Sequence, residues 1–307
     1  MSVSPESSPE LNPLSLGYVR PPNGGDGSDD VDVLAPLPEY KAAGETVLDF
    51  DGLLRPAPDL RLREDLTEGC GGQTWPAGMV LARHMLRHRR TELTNARILE
   101  LGAGSGLVGL AVALARQTED ACSGRPGRGP SSPVYITDQE PMRALMEHNI
   151  ALNGLQSEAK ALVLNWGEPL PADIHRLRPN VVLAADCVYF EPAFPLLLAT
   201  LAALLSPDME TPGEPTVVYF CFMKRRRADM QFLKQARKRF CVAEVADADR
   251  PVFSRQGLFL YTLTRKAKPA VPTGRARATE QGTRQSIGPP PQQQHPQQQQ
   301  QQQQESI

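Results

Sequence analysis

The chain has 307 residues, 40% of them hydrophobic and 22% charged, with a formal net charge of −2. A charge this close to zero gives no global argument for nucleic-acid binding, and we expect none. The five cysteines are odd in number and form no C-x-x-C pair, which disfavours a disulfide framework or a zinc site. We find no signal peptide and no apolar run of bilayer length, so we expect a cytoplasmic protein without membrane contact.

The two ends of the chain differ in composition from the middle. Residues 1–40 are rich in Ser, Pro, Gly and Asp, and residues 267–307 drift into Pro, Gln and Arg before a polyglutamine run. Because both segments lack the apolar residues that offset ordering entropy, we predict that both are disordered. The remaining residues, 41–266, are enough for one domain with a sizeable core.

The first predicted elements form a small unit ahead of the main fold. Short strands at residues 46–50 and 60–63 flank a turn-rich segment, which indicates a β-hairpin. A flexible loop at 69–72 then leads to a helix that opens on Pro76 and runs to about residue 90. Proline favours the first turn of a helix, which supports that start.

Strands and helices alternate through the rest of the domain. Strands are predicted at residues 97–101, 134–137, 161–164, 181–185, 216–222, 242–245 and 258–264, and helices at 106–117, 141–153, 193–205 and 229–240. This alternation predicts an α/β fold, a Rossmann-like seven-stranded, mostly parallel sheet with helices on both faces and the hairpin as an N-terminal extension. The last two strands have no helix between them, which predicts an antiparallel edge. The Gly/Pro/Ser-rich residues 121–133 are expected to form an exposed loop.

The glycine-rich segment at residues 98–106 is the most informative part of the chain. An apolar strand, a turn with alternate glycines and an apolar helix form the crevice in which α/β proteins bind nucleotides and nucleoside cofactors. Gly104, Gly106 and Gly109 also satisfy the pattern G-x-G-x-x-G, so a nicotinamide-dinucleotide enzyme is a competing interpretation. Glu100 argues against it, because a carboxylate there would repel a pyrophosphate and would suit a cationic amino-acid moiety.

A second motif identifies a family by resemblance. Asp186-Cys187-Val188-Tyr189 follows the strand at 181–185, and the chain also has a Trp at 75 and at 166. This set resembles the seven-β-strand S-adenosylmethionine-dependent methyltransferases, and within them the protein-lysine methyltransferase group that includes the enzymes methylating chaperones and valosin-containing protein. The resemblance covers about residues 45–265. The Trp-Pro-Ala-Gly opening and the segment 224–229 look most like the fungal lysine methyltransferase of translation elongation factor 1-alpha.

The resemblance implies a set of residues that bind S-adenosylmethionine. Gly102, Ala103 and Gly104 would let the cofactor lie against bare backbone. Asp138, at the end of the second core strand, would accept the ribose hydroxyls, although it could instead cap the following helix. Glu100 would lie near the amino-acid moiety.

Two tryptophans and one alanine complete the predicted cofactor site. Trp166 would line the adenine pocket, with core packing as the alternative. Trp75 would lie beside the cofactor, or would anchor the loop before it. Ala185 would place its backbone against the cofactor.

Asp186 and Tyr189 are the predicted catalytic residues. They follow a strand at the edge where open α/β sheets bind ligands. A lysine ammonium, with a pKa of about 10.4, becomes a nucleophile only after it loses a proton. By the resemblance, Asp186 would attract the ammonium and orient the amine, while Tyr189 would form the channel wall. The alternative for Asp186 is a helix or turn cap.

Two basic segments have competing interpretations. His84 and His88 have the spacing of metal ligands, but the arginines around them favour a cationic, solvated helix face, and we predict no metal site. The run at residues 224–227 could bind phosphates, act as a nuclear signal, meet an acidic patch on a protein substrate or be an ordinary surface run.

The leading hypothesis is a monomeric protein-lysine N-methyltransferase that uses S-adenosylmethionine and acts on translation elongation factor 1-alpha, a substrate favoured by resemblance only. An RNA or small-molecule methyltransferase is a second hypothesis, and the RNA version is disfavoured because the tetrapeptide Asp186-Cys187-Val188-Tyr189 contains no prolines. A scaffold that binds the cofactor without catalysis is the third.

Overall fold

The computed structural model describes residues 43–67, 69–123 and 132–266. The predicted terminal segments, 1–40 and 267–307, lie outside these residues, as does most of the predicted loop at 121–133. Among the described helices, none has both the length and the apolar character needed to cross a bilayer.

The sheet has the predicted architecture. The strands in the described part of the chain are β1 (Gly44–Leu48), β2 (Leu60–Glu64), β3 (Ile98–Leu101), β4 (Val134–Asp138), β5 (Ala159–Val163), β6 (Val181–Ala185), β7 (Val217–Met223), β8 (Phe240–Glu244) and β9 (Leu258–Arg265). The first two form the predicted antiparallel hairpin, and the others form a seven-stranded sheet in the order β5-β4-β3-β6-β7-β9-β8. Strand β9 runs antiparallel to both of its neighbours, while β3 to β7 are parallel. The antiparallel strand therefore lies one position inside the edge, and β8 forms the edge itself.

Helices cover both faces of this sheet. They are α1 (Pro76–His84), α2 (Arg90–Leu93), α3 (Leu107–Ser123), α4 (Glu140–Leu152), α5 (Ala172–Leu177), α6 (Phe194–Leu204), α7 (Arg227–Arg239) and α8 (Arg250–Phe253). The long helix predicted from Pro76 is interrupted by a π-helical turn at Met85–Arg89. Helices α5 and α8 were not predicted, because six or four residues are too few to display a helical hydrophobic period.

The core has two parts, one on each side of the sheet. Successive strand residues point to opposite faces, so Ile98 packs with α1, α3 and α4, while Leu99 and Leu101 pack with α5, α6 and α7. The carboxyl ends of β3 and β6 lie side by side, with Leu101 paired to Ala184. The glycine-rich turn and the segment after β6 consequently leave the sheet at neighbouring points, and together they define the candidate site.

Candidate active site

The glycine-rich turn is closely packed against other parts of the protein. Gly102 and Gly104 have φ values of +60° and +55°, in the left-handed region that disfavours a side chain. A Cβ on Gly102 would lie 3.1 Å from both Trp166 Cζ2 and Cys187 Sγ. A Cβ on Gly104 would lie only 2.1 Å from the carbonyl oxygen of Gly71. Both glycines are therefore required by the turn and by its neighbours.

Ala103 and Asp138 join this turn to the end of β4. The Ala103 N–H donates to the Thr137 carbonyl at 3.0 Å. Asp138 Oδ2 accepts the N–H of Gly104 at 2.7 Å, and its Oδ1 accepts the N–H of Gln139 at 2.7 Å. Burial raises the pKa of the Asp138 carboxyl above its usual value. The structure thus places this acid beside the turn, as predicted, with its oxygens on backbone N–H groups.

Glu100 is placed differently from the expectation. Its side chain is buried, and Oε2 accepts the N–H of Gly109, in α3, at 2.7 Å. Burial raises the pKa of this carboxyl to about 8. The structure gives Glu100 a backbone partner in the first turn of α3, which the sequence did not predict.

The two tryptophans have different neighbours at the site. The half-buried Trp166 ring lies against Gly102, which is the position expected for a wall of a base pocket. Trp75 Nε1 donates to the Cys70 carbonyl at 2.9 Å, which fits the alternative role of anchoring the loop before it. The guanidinium of Arg225 lies 5.1 Å from the centre of the Trp75 ring, within the range of a cation–π contact. Trp75 therefore connects the 69–72 segment to the substrate side.

Asp186 is paired, which the sequence did not predict. It follows Ala185, the half-buried last residue of β6, and has a φ of +55°. Its carboxylate receives two hydrogen bonds from Arg225, Nη1 to Oδ1 at 2.9 Å and Nη2 to Oδ2 at 2.5 Å, and Oδ1 also accepts the Met223 N–H at 3.2 Å. Only 6% of the Asp186 side chain and 14% of the Arg225 side chain are exposed. The carboxylate predicted to meet the target lysine therefore already has a cationic partner within the chain.

Tyr189 lies at the exposed rim of the same segment, with 38% of its surface accessible. Desolvation raises the pKa of the Tyr189 phenol above its ordinary value, so the hydroxyl is protonated at neutral pH. Its carbonyl oxygen accepts a hydrogen bond from Arg226. A tyrosine whose hydroxyl is protonated can form part of a channel wall but cannot act as a base.

Comparison with known proteins identifies the family. A lysine methyltransferase family model matches residues 54–239. This chain belongs to the lysine methyltransferase family.

Individual relatives agree with this assignment. The chain is 36% identical over 253 residues to the protein-lysine N-methyltransferase EFM6 of Saccharomyces cerevisiae, a match that covers 76% of this chain and 96% of EFM6. It is 35% identical over 191 residues to the protein N-lysine methyltransferase METTL21A of Danio rerio, covering 61% and 76% of the two chains. It is 32% identical over 142 residues to EEF1A lysine methyltransferase 3 of Mus musculus, covering 45% and 53%. The predicted enzyme class, protein-lysine N-methyltransferase with a protein substrate, is confirmed.

The pairing of Arg225 with Asp186 is the feature of this candidate site that sequence reasoning missed. The sequence alone did not decide whether the basic run at 224–227 is an ordinary surface run or has one of several binding roles. The start of α7 holds the run in place, because Asp229 Oδ2 accepts the N–H groups of Arg225 and Arg226 at 2.7 and 2.8 Å. The run's position just after β7 had suggested contact with a protein substrate, but Asp186 as the partner of Arg225 is visible only in the folded chain.

Of the two histidines predicted to lie on a solvated helix face, His88 is exposed and His84 is not. His84 is buried, and its Nδ1 lies 2.7 Å from Oδ2 of Asp247. His88 Nε2 lies 3.8 Å from the same oxygen. The prediction failed because Asp247, far away in sequence, approaches α1 only in the folded chain. The contact fixes the segment between β8 and α8 against α1, on residues outside the candidate site.

Proposed function

We propose that this lysine methyltransferase transfers a methyl group from S-adenosylmethionine to a lysine of translation elongation factor 1-alpha. The observation that carries the proposal is the adjacency of two features at the carboxyl ends of β3 and β6. The glycine-rich turn with Asp138 forms one of them, and the Asp186–Arg225 pair forms the other.

The residues at the turn fit the cofactor. Gly102 has no Cβ, which lets the Trp166 ring lie against the turn, and adenine can stack on this ring. The Asp138 carboxylate, beside the Gly104 N–H, is the group that would accept ribose hydroxyls. S-adenosylmethionine supplies a methyl group on a positively charged sulfur. In this proposal the loop at 102–104, Asp138 and Trp166 hold it, and Ala185 adds backbone contact at the end of β6.

The segment after β6 receives the lysine. The ammonium must lose one proton to solvent before its nitrogen has a lone pair. That lone pair then forms the new N–C bond as the C–S bond of the donor breaks, and the positive charge moves to nitrogen. Asp186 orients the amine, and Tyr189 forms the wall of the entry channel. Positioning supplies most of the rate, because a bound, aligned nucleophile reacts without the entropy cost of encounter.

The choice of elongation factor 1-alpha as the substrate rests on the similarity of this chain to other methyltransferases. One relative is named for EEF1A, and the Trp-Pro-Ala-Gly opening and the segment 224–229 led to the same substrate from the sequence. The basic residues of that segment lie at the substrate edge, where they can meet an acidic surface of a folded protein.

Labelled S-adenosylmethionine and purified elongation factor 1-alpha test the proposal. We expect label in the protein that survives nuclease, and mass spectrometry then locates the lysine. Label in another protein of a cell extract, with none in the elongation factor, would refute the substrate. Cofactor binding without transfer to any protein would refute catalysis.

Asp186→Asn tests the proposed catalytic role. The amide keeps the shape of the side chain but loses its charge, so we expect cofactor affinity within a few-fold of wild type and loss of methyl transfer. Asp208→Asn, at an exposed position after α6, is the control for removing one carboxylate. Unchanged turnover in Asp186→Asn would exclude Asp186 from the mechanism.

A further inference from the structure

The negative charge of the Asp186 carboxylate is balanced by the guanidinium of Arg225. Its two oxygens receive a bidentate pair of hydrogen bonds from Arg225, and both side chains are nearly inaccessible. The pair as a whole has no net charge. A free carboxylate at a substrate entrance would bind a lysine as its ammonium, which is the unreactive form, and would stabilise that form.

We propose that Arg225 is a positioning residue that neutralises Asp186, so that the site accepts the target lysine as a free amine rather than as an ammonium. This inference rests on the proposed function, because it concerns how the same site handles its lysine. The remaining lone pairs of the paired carboxylate can still accept an N–H from the amine. The guanidinium next to them disfavours a second positive charge.

The surroundings of Arg225 keep it charged and fixed. Burial would lower the pKa of Arg225, but its hydrogen bonds with Asp186, together with the negative charges of Asp186 and Asp229, outweigh burial and raise it. Its backbone N–H is bound by Asp229, and its guanidinium lies over the Trp75 ring. With its backbone held by Asp229 and its guanidinium held by Asp186 and the Trp75 ring, Arg225 cannot move away at little cost when substrate enters. Arg225 therefore acts as a permanent part of the site.

Other titratable groups surround the pair. They are Cys70 before α1, Asp138 at the end of β4, Cys187 and Tyr189 after β6, Cys221 in β7, and Arg226 and Asp229 at the start of α7. Burial raises the pKa of each of these three thiols and of the Tyr189 phenol, so they are neutral near pH 7. All these groups are shared by wild type and variants. A difference between variants in pH dependence therefore reports the charge at 225.

The first experiment measures kcat against pH, because this profile reports groups in the enzyme–substrate complex. We compare wild type with Arg225→Gln and Arg225→Lys. Arg225→Gln leaves Asp186 unpaired, so the apparent pKa of the bound lysine should rise by about one unit, with kcat low at pH 7 and recovering at high pH. Arg225→Lys keeps the charge and should keep the wild-type apparent pKa, although it loses the bidentate geometry. Arg239→Gln, exposed at the end of α7, controls for loss of one positive charge.

The second experiment measures binding without catalysis. The methylated lysine of the elongation factor is replaced by methionine, which removes the ammonium and keeps a long side chain. We expect the ratio of lysine to methionine affinity at pH 7 to increase in Arg225→Gln relative to wild type, by at most about tenfold, since one pKa unit corresponds to tenfold.

Two results would overturn the inference. One is a kcat for Arg225→Gln that is reduced equally at every pH, because that is the result of a merely structural role. The other is an unchanged affinity ratio. If wild type transfers no methyl group to the elongation factor, the proposed function fails along with the inference. Normal wild-type transfer with no pH shift in the variant overturns the inference alone.

Discussion

Gly104→Ala separates the two reasons for a glycine in the cofactor turn. Gly104 has a φ of +55°, and a new Cβ would lie 2.1 Å from the Gly71 carbonyl oxygen. Gly154, after α4, has a φ of +65° and no atom within 4 Å of a new Cβ. The left-handed conformation costs an alanine about 1–2 kcal/mol at either position. Gly154→Ala is therefore a matched control that has the strain without the clash.

The clash at Gly104 must displace the backbone. Unstrained carbon contacts are roughly 3.5 Å, so the 69–72 segment or the turn would have to move by about an ångström. The Cys70 carbonyl in that segment accepts a hydrogen bond from Trp75 Nε1, and the Gly104 N–H donates one to Asp138. Movement of either group disturbs the proposed cofactor site. We expect S-adenosylmethionine affinity to fall by at least about tenfold, or roughly 1.4 kcal/mol.

Urea unfolding and titration calorimetry measure the two effects. Both variants should lose about 1–2 kcal/mol of unfolding free energy through strain, with Gly104→Ala losing more, and only Gly104→Ala should lose cofactor affinity. Equal cofactor affinities in the two variants would refute the argument that the turn and the 69–72 segment form one unit.

Two further predictions concern Trp166 and His84. Trp166→Leu keeps an apolar contact with Gly102 but removes stacking on adenine, which is worth about 1–3 kcal/mol. We therefore expect cofactor affinity, measured by calorimetry, to fall at least about fivefold. A change within twofold would exclude the indole from the adenine site. Burial lowers the pKa of His84 below 6.5 in the folded state. The unfolded chain then takes up the proton first, and this histidine's contribution to stability is full above about pH 6.5 and is lost as the pH falls below it. His84→Asn keeps a donor for Asp247 but does not titrate, so the fall in melting temperature from pH 6.5 to 5 should be flatter than in wild type. An identical slope would show that His84 does not carry this dependence.

Much of the fold was predictable because it depends on local patterns. Apolar runs such as residues 181–185 matched buried parallel strands, and proline at 76 marked a helix start that the structure has at the same residue. Helix α5 was missed, since six residues cannot display a period. The inner position of β9 was missed too, because strand order depends on contacts between distant segments.

The candidate site also has a part that the sequence predicted and a part that it did not. Its motif residues could be located by resemblance, and the structure places Gly102, Asp138 and Trp166 near one another. Their partners could not be located. Glu100 binds the start of α3, and Asp186 is neutralised by a guanidinium 39 residues further along the chain.

The order of residues alone determined the family, the alternation of strands and helices, and the turn that forms the cofactor crevice, because these are set by short-range periodicity and by glycines at fixed spacing. Only the folded chain decided the pairing of Asp186 with Arg225 and the burial of His84. Electrostatic interactions depend on distance and desolvation in space, and Arg225 meets Asp186 only after β6 and β7 have paired side by side.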